Sequence, residues 1–249
     1  MILITGASSG IGKACAIQFA KKNQNLILLA RRKKRLLELA TELKNQFSVE
    51  VHVHALDLQN QSEVESFFKK QSTLLSEVTV LINNAGMAKG MGPIQNGKIE
   101  HWEQMINTNL KGLLYITHGM LPIFLIKKSG HIINIGSVAG FYSYPNGNVY
   151  CSTKAAVRSL TETLRLDLLG TGIRVTEVSP GMVETEFSKV RLENDEAQAK
   201  KVYEGMTPLT AQDIAETVVW CEERPKHVNI QEVILYPTDQ ASPNHVFRK

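Results

Sequence analysis

MILITGASSGIG, Met1 to Gly12, joins two signals whose order decides how the rest of the chain is read. Ile2 to Thr5 is a short apolar, β-branched run of the kind that makes a buried strand, and a helical segment opens near Ile11 after one glycine-rich turn. The glycines stand at positions 6, 10 and 12, a G-x-x-x-G-x-G spacing. Glycine permits the positive φ of a tight turn and leaves no Cβ between backbone and ligand. A helix N-terminus adds free N–H groups and a partial positive charge suited to a pyrophosphate. A plain strand-to-helix turn can carry glycines too, and the spacing departs from the usual G-x-G-x-x-G. Its place, after the first strand and before the first helix, is where a doubly wound sheet binds its ligand.

Working outward, similar runs recur at Leu26 to Ala30, Val51 to Ala55, Val78 to Asn83, His131 to Gly136, Ile173 to Val178 and Glu232 to Leu235. Between them lie segments with helical periodicity, among them LLELATELKNQF (Leu36 to Phe47) and AAVRSLTETLRLDLL (Ala155 to Leu169). This alternation implies βαβ units and the α/β class: a doubly wound, Rossmann-type parallel sheet of about seven strands with helices on both faces. No linker-like shift in composition divides the chain, so residues 1–249 read as one domain. VHVHA alternates apolar and polar where its neighbours are solidly apolar, as a strand near a sheet edge does. His52 and His54 then share one face, which suits a solvated edge better than a metal site.

With 43% hydrophobic and 21% charged residues and no low-complexity tract, the composition is that of a folded globular protein. A formal charge of +4 is too small to argue for nucleic acid, and the one basic cluster is RRKKR, Arg31 to Arg35. Cys15, Cys151 and Cys221 are odd in number and far apart, which fits a reducing compartment rather than a disulfide framework or a zinc site. A strand that begins at Ile2 leaves no room for a leader. GLLYITHGMLPIFLIKK, Gly112 to Lys128, is broken by His118, Gly119 and Pro122 and is shorter than the ~20 apolar residues a bilayer requires. The expectation is a cytoplasmic protein with neither membrane nor nucleic acid as partner.

The second run ends at Ala30 and is followed by Arg31 and Arg32, where an NAD site presents Asp or Glu to the ribose 2′-hydroxyl. Two guanidiniums there favour a 2′-phosphate through charge-assisted hydrogen bonds, so the cofactor reads as NADP rather than NAD. A basic first turn with no such ligand is poorly placed, because the helix dipole favours acids there.

TGASSGIG, NNAG at Asn83 to Gly86, Asn109 in NTNLKG, Ser137 in IINIGSVAG, Tyr150 and Lys154 in YCSTK, and PGMVETEF at Pro180 to Phe187 follow one another along the chain. In this ordered set the sequence resembles the short-chain dehydrogenase/reductase family, and the match covers essentially the whole chain. AGMAKGMGP, GNVYCSTKAAVR, VETEFSKVR and PTDQASPNHVFRK resemble more narrowly its NADP-dependent 3-hydroxy acid dehydrogenases, which include serine and L-allo-threonine dehydrogenases. The resemblance implies that Gly6, Ser8, Ser9, Gly10, Ile11 and Gly12 line a phosphate turn and that Asp57 and Leu58 flank the adenine. Asn84 and Gly86 are then beside the adenosine ribose, and Pro180, Gly181, Val183 and Thr185 close over the nicotinamide carboxamide. It further implies that Lys154 bonds the nicotinamide ribose, that Asn109 holds a water linking this lysine to solvent, that no metal takes part, and that the subunits form a homotetramer.

Hydride transfer to a carbonyl leaves an alkoxide that must be protonated, and the reverse reaction needs a base. A free tyrosine, with a pKa of about 10, is a poor base at neutral pH. Lys154 lies one helical turn beyond Tyr150 on the same face. Its ammonium can stabilise a tyrosinate by up to ~4 kcal/mol, or roughly three pKa units, before desolvation opposes it. Such a shift brings the phenol near physiological pH. Ser137 both donates and accepts, so it can hold the substrate oxygen as carbonyl, alkoxide or alcohol. Alone, Tyr150 and Lys154 read more readily as two ordinary residues on a helix face; Ser137 and the glycine turn upstream give them their catalytic sense. Cys151 beside them reads as a small helical residue rather than a redox thiol.

Substrate choice belongs to loops at the carboxyl ends of the strands, above all the lid of about residues 182–207. SKVR sets Lys189 and Arg191 there, where they can meet the carboxylate of a small hydroxy acid or oxo acid; a solvated helix face would carry the same residues. Under the family reading the reaction is a reversible oxidation, with NADP, at the 3-hydroxyl of acids such as serine, L-allo-threonine or 3-hydroxypropionate. A reductase of neutral ketones or quinones would want apolar residues at 189 and 191, and a hydrolase would need glycine where Ile135 stands. A nucleotide sensor without turnover would not need Ser137, Tyr150 and Lys154. The tail, about residues 236–249, carries apolar residues and prolines and is expected to dock on a neighbouring subunit.

Overall fold

Seven parallel strands form one sheet in the computed structural model, which describes residues 1–249. The first half of the chain runs β1 (Ile2–Thr5), α1 (Gly10–Lys21), β2 (Leu26–Ala30), α2 (Lys33–Gln46), β3 (Val51–Ala55), α3 (Gln61–Lys70), α4 (Ser72–Leu75) and β4 (Val80–Asn83). It continues through α5 (Ile99–Ile106), a π-helical turn (Asn107–Gly112), α6 (Leu113–Lys127), β5 (Gly130–Ile135), α7 (Asn148–Asp167) and β6 (Ile173–Pro180). The short strands β7 (Val183–Glu184) and β8 (Leu209–Thr210) bracket α8 (Glu186–Arg191) and α9 (Glu196–Lys201). After them come α10 (Ala211–Glu222), β9 (Glu232–Leu235) and a hairpin of β10 (Gln240–Ser242) and β11 (His245–Val246).

The strand order is β3-β2-β1-β4-β5-β6-β9. It reverses between β1 and β4, which opens a crevice at their carboxyl ends. All seven expected strands form, and the alternating VHVHA is indeed the edge strand, with His54 packed edge-on against Phe67 at 5.0 Å.

Side-chain alternation divides the apolar runs between two layers. Ile2, Ile4, Leu26 and Leu28 join α1, α2 and α10 in one buried cluster, whereas Leu3, Ile27, Leu29 and Ile132 join α3, α6 and α7 in the other. In α1 the buried residues Gly12, Cys15, Ala16, Phe19 and Ala20 recur at helical spacing, and most are small enough to let the helix lie close on the sheet. Phe19 and Phe124 anchor one layer each and are the largest fully buried side chains, worth about 3 kcal/mol apiece in apolar transfer.

One sequence expectation changes here. Gly112 to Lys128 is not a broken stretch: α5, the π turn and α6 make one helix, Ile99–Lys127, of 29 residues, with Gly119 and Pro122 inside it. That helix is long and apolar enough to cross a bilayer, yet Ile116, Met120 and Phe124 are buried in the core of the domain. Gly119 is required by this packing, because a Cβ there would stand 2.4 Å from the Phe68 ring. The tail also makes contacts with its own chain. The Lys249 amide donates to the Gly205 carbonyl at 2.7 Å, and the Met182 amide donates to Oε1 of buried Gln240 at 2.8 Å, so the tail braces both ends of the lid.

Candidate active site

The glycine turn is held from β4. Gly6 and Gly10 adopt positive φ, +67° and +53°. The Asn84 amide donates to the Thr5 carbonyl at 2.9 Å and to the Gly6 carbonyl at 3.3 Å, and the Thr5 hydroxyl accepts from the Asn84 and Ala85 amides. A Cβ on Gly12 would stand 2.4 Å from Asn84 Nδ2 and 2.6 Å from the Gly6 carbonyl, so this glycine seals the turn from beneath. Gly10 meets only Thr185 of the lid, at 3.5 Å, and leaves its side of the turn clear for a ligand. Ser9, the N-cap of α1, makes no side-chain bond to the helix, which keeps first-turn N–H groups available to an anion.

One cleft runs along the carboxyl ends of the strands. Its walls include Gly6, Ser8, Ser9, Gly10, Ile11, Arg31, Arg32, Asp57, Leu58, Asn84, Gly86, Ser137, Tyr150, Lys154, Pro180, Gly181, Val183 and Thr185. Of the residues the sequence assigns to the cofactor, only Gly12 lies off this surface, because it is spent on packing. At one end Arg32 donates to Ser8 Oγ at 3.0 and 3.1 Å, to Ser9 Oγ at 2.6 Å and to Glu186 Oε2 at 2.8 Å. Arg35, one turn further along α2, donates to both Glu186 oxygens at 2.7 and 2.8 Å. These bonds, Arg32's first, hold the Glu186 carboxyl below its usual range. Guanidiniums already gripping an anion beside an open glycine turn are a donor set that fits a dinucleotide carrying a 2′-phosphate. Sequence reasoning did not single out Arg35 or Glu186; Arg35 stood within the noted RRKKR cluster, but nothing local marked Glu186.

At the other end Tyr150 and Lys154 project from α7, both buried, and Ser137 begins the turn after β5. Gly140 lets that turn lie against α7, since a Cβ would stand 2.8 Å from the Lys154 carbonyl. Burial raises the Tyr150 phenol above its ordinary range and Tyr144 adds to this, while the nearby Ser137 hydroxyl and the charge of Arg191 oppose. Lys154 donates to the Ile135 carbonyl at 2.8 Å, and burial brings its pKa down to about 8 against the opposing charge of Glu177. At Tyr150 desolvation dominates and the opposing charge comes from Arg191 rather than from Lys154, so the protein's own groups do not give the near-neutral phenol expected from the sequence.

Asn109, inside the π turn, commits both of its side-chain N–H donors and one Oδ1 lone pair to protein partners, leaving the second Oδ1 lone pair over. Its Oδ1 accepts from the Met87 amide at 2.8 Å, and its Nδ2 donates to the Met87 carbonyl at 2.8 Å and to Thr153 Oγ1 at 3.0 Å. A Cβ on Gly86 would lie 3.5 Å from Asn109 Oδ1 and 3.6 Å from Lys154 Nζ, so the three converge around one glycine.

The two basic lid residues part company. Lys189 pairs with Glu196 on the surface and does not face the cleft. Arg191 turns inward: Nη1 donates to the Tyr144 hydroxyl at 2.8 Å and the guanidinium lies 5.7 Å from the Tyr150 ring centre. Its Nε is buried without a partner. Tyr144, which no sequence signal distinguished, thus links Arg191 to the neighbourhood of Tyr150; Phe187, 5.5 Å from the Tyr150 ring, lines the cleft, whereas Tyr144 and Arg191 stand behind its wall.

Residues 1–196 match the short chain dehydrogenase family. Sulfoacetaldehyde reductase 2 of Chromohalobacter salexigens is 44% identical over 97% of this chain and 95% of its own. An NADP-dependent 3-hydroxy acid dehydrogenase of Schizosaccharomyces pombe is 43% identical over 100% of this chain and 96% of its own. The closed form of a serine dehydrogenase complexed with NADP+ superimposes with a TM-score of 0.92 at 40% identity, covering 100% of this chain and 99% of that one. With the motifs assembled around one cleft and these likenesses spanning the whole fold, the chain belongs to the short-chain dehydrogenase family of oxidoreductases.

Proposed function

We propose that the protein is an NADP-dependent oxidoreductase that interconverts the 3-hydroxyl and 3-oxo groups of small acids such as serine, L-allo-threonine and 3-hydroxypropionate. The observation that carries this reading is the cleft itself, with Ser137, Tyr150 and Lys154 at one end and Arg31 and Arg32 at the other. Bound NADP supplies or accepts the hydride. Ser8, Ser9, Gly10 and Ile11 hold its pyrophosphate, Arg31, Arg32 and Arg35 its 2′-phosphate, and Asp57 and Leu58 its adenine. Asn84 and Gly86 flank the adenosine ribose, Lys154 bonds the nicotinamide ribose, and Pro180, Gly181, Val183 and Thr185 close over the carboxamide.

Ser137 holds the reacting oxygen, and Tyr150 protonates it in reduction and deprotonates it in oxidation. Burial keeps this phenol protonated at neutral pH and makes it hold that proton more tightly; in either direction the transfer calls on the positive charge of Lys154 to stabilise the tyrosinate. Asn109 fixes the loop after β4 against α7 and holds the water that leads from Lys154 to solvent. Arg191, with one buried N–H unpaired, takes the acid group of the substrate. A sulfonate meets the same need, and the similarity to a sulfoacetaldehyde reductase supports it as a second substrate class. We further place the protein in the cytoplasm, in keeping with its three unpaired cysteines, and as a homotetramer, an assembly supported by exposed Leu125, Ile126, Leu166 and Leu169 near the ends of α6 and α7 and testable by light scattering.

The test is turnover, followed by nicotinamide absorbance, on 3-hydroxy acids, 3-oxo acids, sulfoacetaldehyde and neutral ketones. Activity is expected with NADP well above NAD and with acids above neutral carbonyls. Faster reduction of neutral ketones or quinones would transfer the assignment to a carbonyl reductase, and tight NADPH binding with no turnover to a nucleotide sensor.

A further inference from the structure

Glu177 has no part in the chemistry above, yet it is 1% exposed in the middle of β6. It lies in register with Asn134 of β5, which lies in register with Asn83 of β4. These residues form a polar row beneath α6 and α7. Asn83 Nδ2 donates to Thr117 Oγ1 and to Asn134 Oδ1, both at 2.9 Å, and Asn134 Nδ2 donates to Thr161 Oγ1 at 2.8 Å. Next in the row, with Glu232 of β9 in register beyond it, Glu177 Oε1 accepts from Ser179 at 2.6 Å, and Oε2 is buried with no partner. Burying a carboxylate this way is unfavourable unless an opposite charge is near.

Gly136 shows where the carboxyl lies, because a Cβ there would stand 2.1 Å from Glu177 Oε1. The preceding residue is Ile135, whose carbonyl accepts from Lys154 Nζ at 2.8 Å. Lys154 has the complementary problem: it is 7% exposed and its hydrogen bond goes to a neutral carbonyl.

We propose that Glu177 is a positioning residue for hydride transfer, whose buried carboxylate, one peptide away from the carbonyl that holds Lys154, supplies the counter-charge that keeps this lysine an ammonium. The inference rests on the reading of Tyr150 and Lys154 as the reacting pair. Glu177 is the charged group that acts on Lys154. On Glu177 itself act Lys154 and Arg158 from α7 and Glu232 from β9, and Arg158 is in turn drawn to Glu232 at 3.5 Å. Burial raises the Glu177 carboxyl above its ordinary range, with Ser179, Lys154 and Arg158 opposing, and burial lowers Lys154 to about 8. Between the carboxyl's midpoint and the lysine's, both groups are charged. Removing the carboxylate lets Lys154 lose its proton at lower pH, which weakens its support for a tyrosinate and moves the basic requirement of alcohol oxidation to higher pH.

Two readouts on the full-length enzyme test this. NMR of protein carrying isotopically labelled lysine, with Lys154 assigned through Lys154→Arg, reads the lysine midpoint directly. Glu177→Gln is expected to lower it by about one pH unit, and to raise the ascending limb of kcat/KM for oxidation by about half a unit or more. Glu177→Asp keeps the charge and is expected to restore most of both shifts. A merely structural role would lower Tm in both variants and leave both midpoints in place, which overturns the proposal. Should Glu177→Gln fail to fold, NMR of labelled glutamate in the unmodified enzyme decides, because a Glu177 carboxyl still protonated at neutral pH overturns it as well. Full activity in Tyr150→Phe removes the inference together with the reading beneath it, whereas unmoved midpoints beside an inactive Tyr150→Phe remove the inference alone.

Discussion

Arg32 and Glu186 meet at 2.8 Å, tying the start of α2 to the first turn of α8 at the wall of the cofactor cleft. The carboxylate occupies a guanidinium proposed for the 2′-phosphate, so lid and cofactor compete for one group. Both side chains are 43% exposed, which limits the worth of the pair to that of a surface ion pair.

Glu186→Gln is therefore expected to tighten NADP binding by about two- to fivefold and to leave NAD binding unmoved, as calorimetric titration would register. Arg32→Ala is expected to weaken NADP by roughly tenfold or more through loss of charge-assisted bonds, and Arg31→Ala to narrow the preference for NADP over NAD. Unchanged cofactor preference in both arginine variants would remove the 2′-phosphate assignment.

Tyr150→Phe is expected to lower kcat by about a hundred- to ten-thousandfold while NADPH binding, read by fluorescence, persists. Because burial raises this phenol, reduction is expected to hold steady through neutral pH, and oxidation to climb as pH rises into the alkaline range where the phenol ionises. A fully active Tyr150→Phe would refute the mechanism.

Arg191→Ala is expected to raise KM for 3-hydroxy acids by about tenfold or more, with neutral alcohols unaffected, since the loss is of a charge-assisted contact to the acid. Lys189→Ala serves as the contrast, because its ammonium is turned toward Glu196. Equal effects of the two variants on acid KM would contradict the inward placement of Arg191.

His131 sets an acid limit on stability. It is 2% exposed, and because Thr176 Oγ1 donates to the Ile230 carbonyl at 2.6 Å, the hydrogen-bond network assigns the proton to His131 Nε2, which donates to Thr176 at 2.8 Å. Burial, with Arg174 adding, lowers its pKa to about 3. The unfolded chain takes up this proton below its ordinary value of about 6.5 and the folded one does not, so stability is present above that pH. It declines as pH falls toward 3, by up to ~1.4 kcal/mol per unit. His131→Gln is expected to flatten this slope in urea titrations at stepped pH, and matching slopes would exclude His131 as its source.

Much of this protein follows from local pattern. Strand and helix alternation, the glycine turn and the four-residue step from Tyr150 to Lys154 are properties of the backbone's own periods, which neighbouring residues express wherever the segment lies. The same patterns misled at Gly112 to Lys128, because a helix packed along one face into the core tolerates Gly119 and Pro122 that would end an isolated one. What stayed out of reach depends on which distant segments meet. Arg32 and Glu186 are 154 residues apart, Arg191 and Tyr144 are 47 apart, and neither pair has a local signature. The lone acid inside β6 was visible in IRVTEVSP, but its bearing on Lys154 was not. Sequence by itself determined the layered sheet, the glycine turn and the one-turn spacing of Tyr150 and Lys154, since those rest on short-range geometry. Only the tertiary structure decided which charges are buried and against what, because desolvation and pairing are set by the surroundings a side chain receives when remote parts of the chain close around it.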